Sequence, residues 1–271
     1  MCDNALKKAR TPALQGSQLH PAAEEEEVSA EEAAIYYTIV GKLLYLIMWS
    51  RPEMGNAVRE ASRRVKASTK KHMKYLNRIV SYVIQTPNRG WFLKPTRKWD
   101  AKDRKFEFKL RGRSDSNYGT DTETRRSVSG FVVYMEDAPV VIKSNMQKIV
   151  TLSSTEAELI AMVSCIQEMM SVKKLLESLE LKVELPMVVE CDNKGAVDLV
   201  NGYQVGGGTK HIDIRNYFVR ELKDNGIIKV KWISTDKNEA DILTKNTRDM
   251  VYDSHIHAFV GIDEYMDMDI N

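Results

Sequence analysis

Four carboxylates between residues 115 and 241 stand where a strand is predicted to end or a helix to begin: Asp115, Glu158, Asp192 and Asp241. Ligand sites in open α/β sheets gather at strand ends, so Asp115 and Asp192 meet if their strands are neighbours. Carboxylates gathered in one cleft repel one another unless divalent cations neutralise them. Oxygen ligands of this kind suit Mg²⁺ or Mn²⁺. The four acids therefore suggest a metal-dependent reaction.

Each acid taken alone also has a structural explanation. Asp115 suits a turn, Asp192 suits a helix N-cap, and Asp241 is a favourable first-turn charge on a helix dipole. The order and spacing of all four are what favour a shared site.

Glu156 competes with Glu158 for the third position in this set. At about 100° per residue their side chains lie roughly 160° apart around a helix, so only one is expected to reach the site. Both stand on the borders of the apolar stripe of that helix. Ser153 with Glu156 and Thr155 with Glu158 each satisfy a capping box, so local pattern does not choose between them.

An α/β order of elements is predicted around the acids, within a domain spanning residues 106–246. Strands are expected at 106–110, 129–135, 140–143, 187–191 and 227–233, and helices at 153–181, 194–200, 211–223 and 237–245. Three strands followed by alternating helices and strands indicate an α/β fold with a mixed sheet.

A helical segment is predicted before this domain, at residues 31–92. It is broken at Arg51-Pro52, resumes from Asn56, and has a third helix that starts near Lys71 and ends before the turn-rich stretch 86–90. We expect residues 1–30 to be a mobile acidic leader, residues 93–105 a linker, and residues 247–271 an acidic tail.

Positive charge is concentrated in the first half of the chain, although the 271 residues carry a formal charge of only +2. Residues 31–113 contain 20 lysines and arginines against 7 acidic residues, which favours a polyanionic partner. Phosphate contacts position a duplex without reading its sequence. The candidate nucleic-acid-binding residues are Arg59, Arg63, Arg64, Lys70, Lys71 and Lys74, and the alternative is a merely solvated helix face.

Three cysteines form neither a CxxC pair nor an even set, which favours a reducing compartment. The longest apolar run, residues 36–49, is shorter than the roughly 20 residues that span a bilayer. The first 15 residues have no signal-peptide core. We expect an intracellular protein, in a cytoplasmic particle or the nucleus, with no membrane partner.

Several motifs occur in one order between residues 114 and 245: SDSNYG at 114–119, RRSVSGF at 125–131, LSSTEAELIA at 152–161, ECDNK at 190–194, TKHIDI at 209–214 and ADILTK at 240–245. Together they resemble the ribonuclease H domain of copia-type LTR retrotransposon polyproteins. Upstream, VGKLLYL at 40–46 and RPEM at 51–54 look like the end of the adjoining reverse transcriptase. The resemblance covers about residues 35–246.

This resemblance implies a ribonuclease H-like fold, a mixed five-stranded sheet with flanking helices. It implies that Asp115, Glu158, Asp192 and Asp241 are the catalytic, metal-binding acids, and it selects Glu158 over Glu156. Two Mg²⁺ ions, for which Mn²⁺ substitutes, would then support cleavage of the RNA strand of an RNA:DNA hybrid. A separate reverse transcriptase polypeptide is a further candidate partner.

The chain departs from the family pattern in two places. It contains no Asp-Asp dipeptide, so polymerase activity of its own is not expected. Many ribonucleases H place a histidine in the loop before the last acid, whereas the loop 234–239 has none. His211 is a candidate accessory residue, although a polar residue at a helix start explains it equally.

Two other functions stay open at this stage. A catalytically inactive nucleic-acid-binding remnant would keep the acids without the activity. A transposase-like strand-transfer enzyme would use an Asp, Asp, Glu order, whereas this chain has Asp, Glu, Asp, Asp.

Overall fold

The computed structural model describes residues 8–21, 27–202 and 210–261, without the side chains of residues 210–213. The chain divides into two units. One consists of the described parts of residues 1–91 and 245–271 and is called the helical unit. The other comprises the described parts of residues 92–244 and is called the sheet unit.

The α-helices of the described residues are α1 (Ala30–Trp49), α2 (Gly55–Ser62), α3 (Lys70–Gln85), α4 (Ser154–Ser178), α5 (Lys194–Asn201), α6 (Lys210–Asp224) and α7 (Asp249–Ile256). The strands are β1 (Gly90–Trp91), β2 (Glu107–Phe108), β3 (Leu110–Asn117), β4 (Val128–Met135), β5 (Ala138–Met146), β6 (Lys182–Val183), β7 (Met187–Cys191), β8 (Ile228–Trp232) and β9 (Val260–Gly261). Short 3₁₀ helices occur at Pro52–Met54, Thr235–Lys237 and Glu239–Leu243.

A mixed sheet of five strands forms the centre of the sheet unit, in the order β5-β4-β3-β7-β8. The first three strands of that order pair antiparallel, and β3, β7 and β8 pair parallel. The α/β class and the five-stranded mixed sheet predicted from the sequence are therefore confirmed. The flanking helices and the preceding helical segment are confirmed as well.

Helix α4 packs against the centre of this sheet through the buried side chains of Leu159, Met162, Ile166 and Met169. The helix comes very close to β3 at Gly112, where an added Cβ would lie 2.5 Å from Cys165 Sγ. Only glycine allows this approach, and it sets the position of the helix that carries Glu158.

The helical unit is built on α1, α2 and α3, which lie close to the predicted positions. Ser29 and Glu32 form a capping box at the start of α1. The RPEM motif forms a buried ion pair, with Arg51 Nε 2.7 Å from Glu53 Oε1. The Arg51 guanidinium also donates to the main-chain carbonyl of Thr86 at 3.0 Å, which joins the motif to the end of α3.

The two ends of the chain differ from the sequence expectation where they are described. Residues 8–21 are not a mobile leader, because Ala9, Ala13 and Leu19 are buried in the helical unit. The Gly16 amide donates to the Asn246 carbonyl at 3.0 Å. Residues 247–261 form α7 and β9 rather than an acidic tail, and β9 pairs antiparallel with β1. The small apolar residues that anchor residues 8–21 carry no local periodic signal.

Two element boundaries around the acids also differ. Asp115 lies within β3 rather than after a strand, because β3 continues to Asn117. The closing helix expected at 237–245 is instead a pair of 3₁₀ helices. Asn238 separates them, since it adopts an extended conformation and its side chain accepts a hydrogen bond from the Ala240 amide at 3.3 Å. Within the described part of the chain, every helix is too short or too polar to cross a bilayer.

Candidate active site

Asp115 and Asp192 lie side by side at the ends of neighbouring strands. Ser114 of β3 is in register with Cys191 of β7, and these strands are parallel, so the next residue on each is an acid. Asp115 is 4% exposed and Asp192 is half-buried. The sequence predicts that these two acids meet if their strands are neighbours. In the sheet, β3 and β7 are neighbours, so the condition is satisfied.

Glu158 extends from the first turns of α4 toward the same strand ends. Its Oε1 accepts a hydrogen bond from the Ser116 amide at 3.2 Å, and its Oε2 lies 3.7 Å from the Cys191 thiol. Ligand atoms of Glu158, Cys191 and Asp192 all lie within 4.8 Å of one another. One divalent ion could contact groups held this close.

Asp241 is carried by the 3₁₀ helix Glu239–Leu243 and is 3% exposed. This helix is fastened to the strand ends by Thr244, whose hydroxyl contacts both the Asp115 carboxylate and the main-chain carbonyl of Asp241. Thr244 thus links the first acid of the set to the segment that bears the last one.

The crowding of acids changes the protonation of this site. Burial, followed by the charges of Asp115 and Asp192, raises the pKa of Glu158 well above its ordinary value. Burial and the Glu158 charge also raise the pKa of the Cys191 thiol. The thiol therefore stays protonated and donates a hydrogen bond to Glu158. The carboxylate oxygens are then the atoms of this cluster that are available as metal ligands.

Such a donor set fits Mg²⁺ or Mn²⁺. Hard divalent cations prefer carboxylate oxygen over a neutral thiol, and a cation would favour the ionised form of Glu158 that its neighbours oppose. The residues present would hold the metal through Asp115, Glu158 and Asp192, with Asp241 on the adjoining segment.

Glu156 has a different role from Glu158. Its Oε2 accepts a hydrogen bond from the Leu152 amide at 2.7 Å, while its own amide donates to the Ser153 hydroxyl at 3.1 Å. Glu156 therefore caps α4, and the ambiguity left by the local pattern is resolved by these contacts. The N-cap of α5 is likewise Asn193, whose side chain accepts from the Ala196 amide, rather than Asp192.

Asn238 is a site residue that sequence reasoning missed. It is fully buried, and its side-chain amide donates to the Ser114 carbonyl at 3.0 Å and to Asp192 Oδ1 at 3.3 Å. It stands in the loop where the family resemblance suggested a histidine. In the sequence, the position of Asn238 three residues before Asp241 is the one feature that points to it.

The candidate nucleic-acid-binding residues separate into two groups. Arg64 is 7% exposed and donates twice to the Leu19 carbonyl, at 2.6 and 3.1 Å. Arg59 is half-buried, and its Nη1 lies 2.9 Å from Glu60 Oε1. Arg63 forms a second, longer ion pair with the same oxygen, at 3.7 Å. Arg59 and Arg64 thus make contacts within the helical unit, and the assignment of Arg59, Arg63 and Arg64 as phosphate ligands stays a prediction. Lys70, Lys71 and Lys74 are exposed on α3.

His211 belongs to α6, but its side chain lies outside the part of the chain that the structure describes. Its assignment as an accessory residue stays a prediction.

A mixed five-stranded sheet with acids at the ends of β3 and β7 and in the first turns of α4 defines a ribonuclease H-like domain. Comparison with known proteins finds similar sequences among the Pol polyproteins of transposons. The chain is 34% identical over 210 residues to the "Retrovirus-related Pol polyprotein from transposon RE1" of Arabidopsis thaliana and 33% identical to that from transposon TNT 1-94 of Nicotiana tabacum. Over this region the chain is homologous to copia-type retrotransposon Pol polyproteins, as its motifs predicted.

The matched region is 78% of this chain but only 14% of the RE1 polyprotein and 15% of the TNT 1-94 polyprotein. A shorter relative, the "Secreted RxLR effector protein 161" of Plasmopara viticola, is 34% identical over 133 residues, which are 49% of this chain and 87% of that protein. No protein-family model matches the chain.

Solved ribonucleases H are similar to half of the chain. The enzyme RNase H1 of Halobacterium salinarum aligns with 50% of this chain and 94% of its own, at 13% identity and a TM-score of 0.39. LC11-RNase H1 in complex with an RNA/DNA hybrid aligns with 50% of this chain and 94% of its own, at 18% identity and a TM-score of 0.39.

Proposed function

We propose that the sheet unit is a divalent-metal-dependent nuclease that cuts the RNA strand of RNA:DNA hybrids. The observation that carries this proposal is the convergence of Asp115, Glu158 and Asp192 at the ends of β3 and β7 and the start of α4. Homology to retrotransposon Pol polyproteins supports the hybrid as the substrate, because reverse transcription forms such hybrids.

Divalent cations bound to these acids would supply Lewis-acid stabilisation of the phosphodiester and activation of the attacking water. The residues of this chain would hold and orient that site. Asn238 fixes one oxygen of Asp192, and Thr244 contacts the Asp115 carboxylate. Because both partners are buried, the carboxylates have few alternative orientations, so the site is preorganised for the reaction.

Hybrid cleavage in the presence of Mg²⁺, Mn²⁺ or a chelator tests this function directly. We expect the purified chain to cut the RNA strand with either metal and to stop when the metal is chelated. Asp192→Asn nearly conserves shape but removes a ligand charge, so it is expected to abolish cleavage without unfolding the unit.

Asp198→Asn is the matched control, because Asp198 is an exposed acid on α5 six positions further along the chain. This variant is expected to cut as the parent chain does. If Asp192→Asn still cuts, the metal assignment is wrong. If the unchanged chain binds hybrid but never cuts it, the inactive binding remnant is the correct alternative.

A further inference from the structure

A charged residue stands two positions before each of the four acids, and one of these, Glu156 before Glu158, caps α4. Strand side chains alternate between faces, so residues two apart on β3 or β7 share a face of the sheet. Arg113 therefore shares a face of β3 with Asp115. It forms a charged row with two residues that likewise precede acids: Glu190 before Asp192, and Glu239 before Asp241.

Arg113 joins the other two members of this row. It is directly opposite Glu190 in the β3–β7 register, and its Nε lies 2.7 Å from Glu190 Oε2. Its Nη1 contacts the Glu239 carboxylate and donates to the Lys237 carbonyl at 2.8 Å. The three side chains are 16%, 15% and 20% exposed, so water screens them only in part.

The row connects three separate elements. Arg113 is on β3, Glu190 is on β7, and Glu239 begins the 3₁₀ helix that carries Asp241. Arginine is suited to this position because its planar guanidinium presents several donors in a fixed geometry, whereas a lysine ammonium is a single point charge. Removing the Arg113 guanidinium would take away the ion pair of Glu239 and one of the two arginine partners of Glu190.

We propose that Arg113 is a positioning residue for the candidate active site. It holds the segment Glu239–Leu243, and with it Asp241, against the two strands that carry Asp115 and Asp192. This inference rests on the proposed function, because it assigns a purpose to the geometry of the same four acids.

The test compares Arg113→Met with Arg111→Met. Arg111 is the matched control, because it is on the same strand and face and also contacts Glu190, at 3.2 Å, but pairs with Asp137 instead of Glu239. Arg113→Lys asks whether positive charge alone is enough. Mn²⁺ binding is measured by electron paramagnetic resonance, amide hydrogen exchange is followed at residues 239–243, and hybrid cleavage is titrated with Mg²⁺.

We expect Arg113→Met to raise amide exchange at residues 239–243, to weaken Mn²⁺ binding roughly 10-fold or more, and to raise the Mg²⁺ concentration for half-maximal cleavage by a similar factor. Arg111→Met should leave all three measurements near those of the parent chain. Arg113→Lys should restore them only in part.

If the parent chain binds Mn²⁺ and cuts hybrid while Arg113→Met does so equally well, the positioning role is wrong and the proposed function stands. If the parent chain binds no Mn²⁺, the proposed function fails and the positioning role fails with it. Should Arg113→Met unfold the unit, Glu239→Gln removes only the ion pair to the 3₁₀ helix. Unchanged exchange and Mn²⁺ affinity in Glu239→Gln would then refute the proposal.

Discussion

Ionisation of Glu158 is unfavourable in the chain alone, and a bound metal ion would favour it. Burial and two neighbouring acids oppose its ionisation, while the Ser116 amide and the Cys191 thiol donate hydrogen bonds to its two oxygens. Glu156, one helical half-turn away, satisfies the Leu152 amide instead. Two glutamates within a single turn thus have different surroundings, because Glu156 faces a main-chain amide and Glu158 faces two other acids.

Exchanging each glutamate for glutamine separates these roles. Glu158→Gln should stop hybrid cleavage with the fold intact, because it removes a carboxylate from the proposed metal site. Glu156→Gln should still cut and cost at most about 1 kcal/mol of stability through weakened capping. Cleavage rates and thermal melts of both variants check this, and impaired cleavage confined to Glu156→Gln would reverse the assignment.

The raised pKa of Glu158 also predicts how stability depends on pH without metal. The folded chain retains a proton that the unfolded chain releases, so stability falls as pH rises from the ordinary glutamate pKa toward the folded one. In chelator at neutral pH, Glu158→Gln should therefore be more stable than the parent chain.

Melting temperatures across pH and with added Mg²⁺ test this sign. The advantage of Glu158→Gln should vanish at pH values below the ordinary glutamate pKa, where both forms are neutral. Mg²⁺ should stabilise the parent chain and have much less effect on the variant. A parent chain that is more stable than Glu158→Gln in chelator at neutral pH would contradict the prediction.

At the scale of secondary-structure elements, two glycines near the acids allow neighbouring elements to pack closely against the sheet. Gly112 admits α4 to β3, and Gly130, which is opposite Asp115 in the sheet, admits the 3₁₀ helix Glu239–Leu243 to β4. A Cβ at Gly130 would lie 2.7 Å from Thr244 Cγ2 and 3.0 Å from the Ala240 carbonyl oxygen. The glycine of the RRSVSGF motif thus permits the element that carries Asp241 to reach Asp115.

Gly130→Ala should push this 3₁₀ helix away from the sheet. We expect the chain to be destabilised by about 1–3 kcal/mol through overpacking, together with weaker Mg²⁺-dependent cleavage. Gly41→Ala is the control, because Gly41 is inside α1 with no atom within 4 Å of an added Cβ. That substitution should instead stabilise the chain, by about 0.5–1 kcal/mol. Equal activity of the Gly130→Ala and parent chains would show that the approach is not needed.

Across the whole molecule, charge is divided between structural and exposed positions. Arg51, Arg59 and Arg64 are engaged inside the helical unit, whereas the lysines of α3 are exposed. Net charge per segment therefore overstates the surface that a polyanion can contact. The exposed set Lys70, Lys71 and Lys74 remains our candidate phosphate-binding surface.

Replacing Lys70, Lys71 and Lys74 together with glutamine should weaken hybrid binding and flatten its salt dependence. For each phosphate that the variant no longer neutralises, the slope of log affinity against log salt becomes shallower by about 0.9. Lys98, Lys102 and Lys105, also exposed, provide a control with the same change in charge. If the slope is unchanged in the α3 variant, or is reduced equally in the control, the α3 lysines are a solvated helix face and do not bind phosphates.

Local periodicity was enough to predict the α/β class and the order of most strands and helices, and the motifs between residues 114 and 245 carried the resemblance that marked the four acids. The folded chain was needed to show that Glu156 caps α4, that Arg64 is buried against Leu19, that residues 8–21 are packed, and that Arg113 joins Glu190 and Glu239. Those two partners are 77 and 126 positions away from Arg113. Strand order and register bring such residues together, and no pattern within a few residues of either partner encodes that pairing.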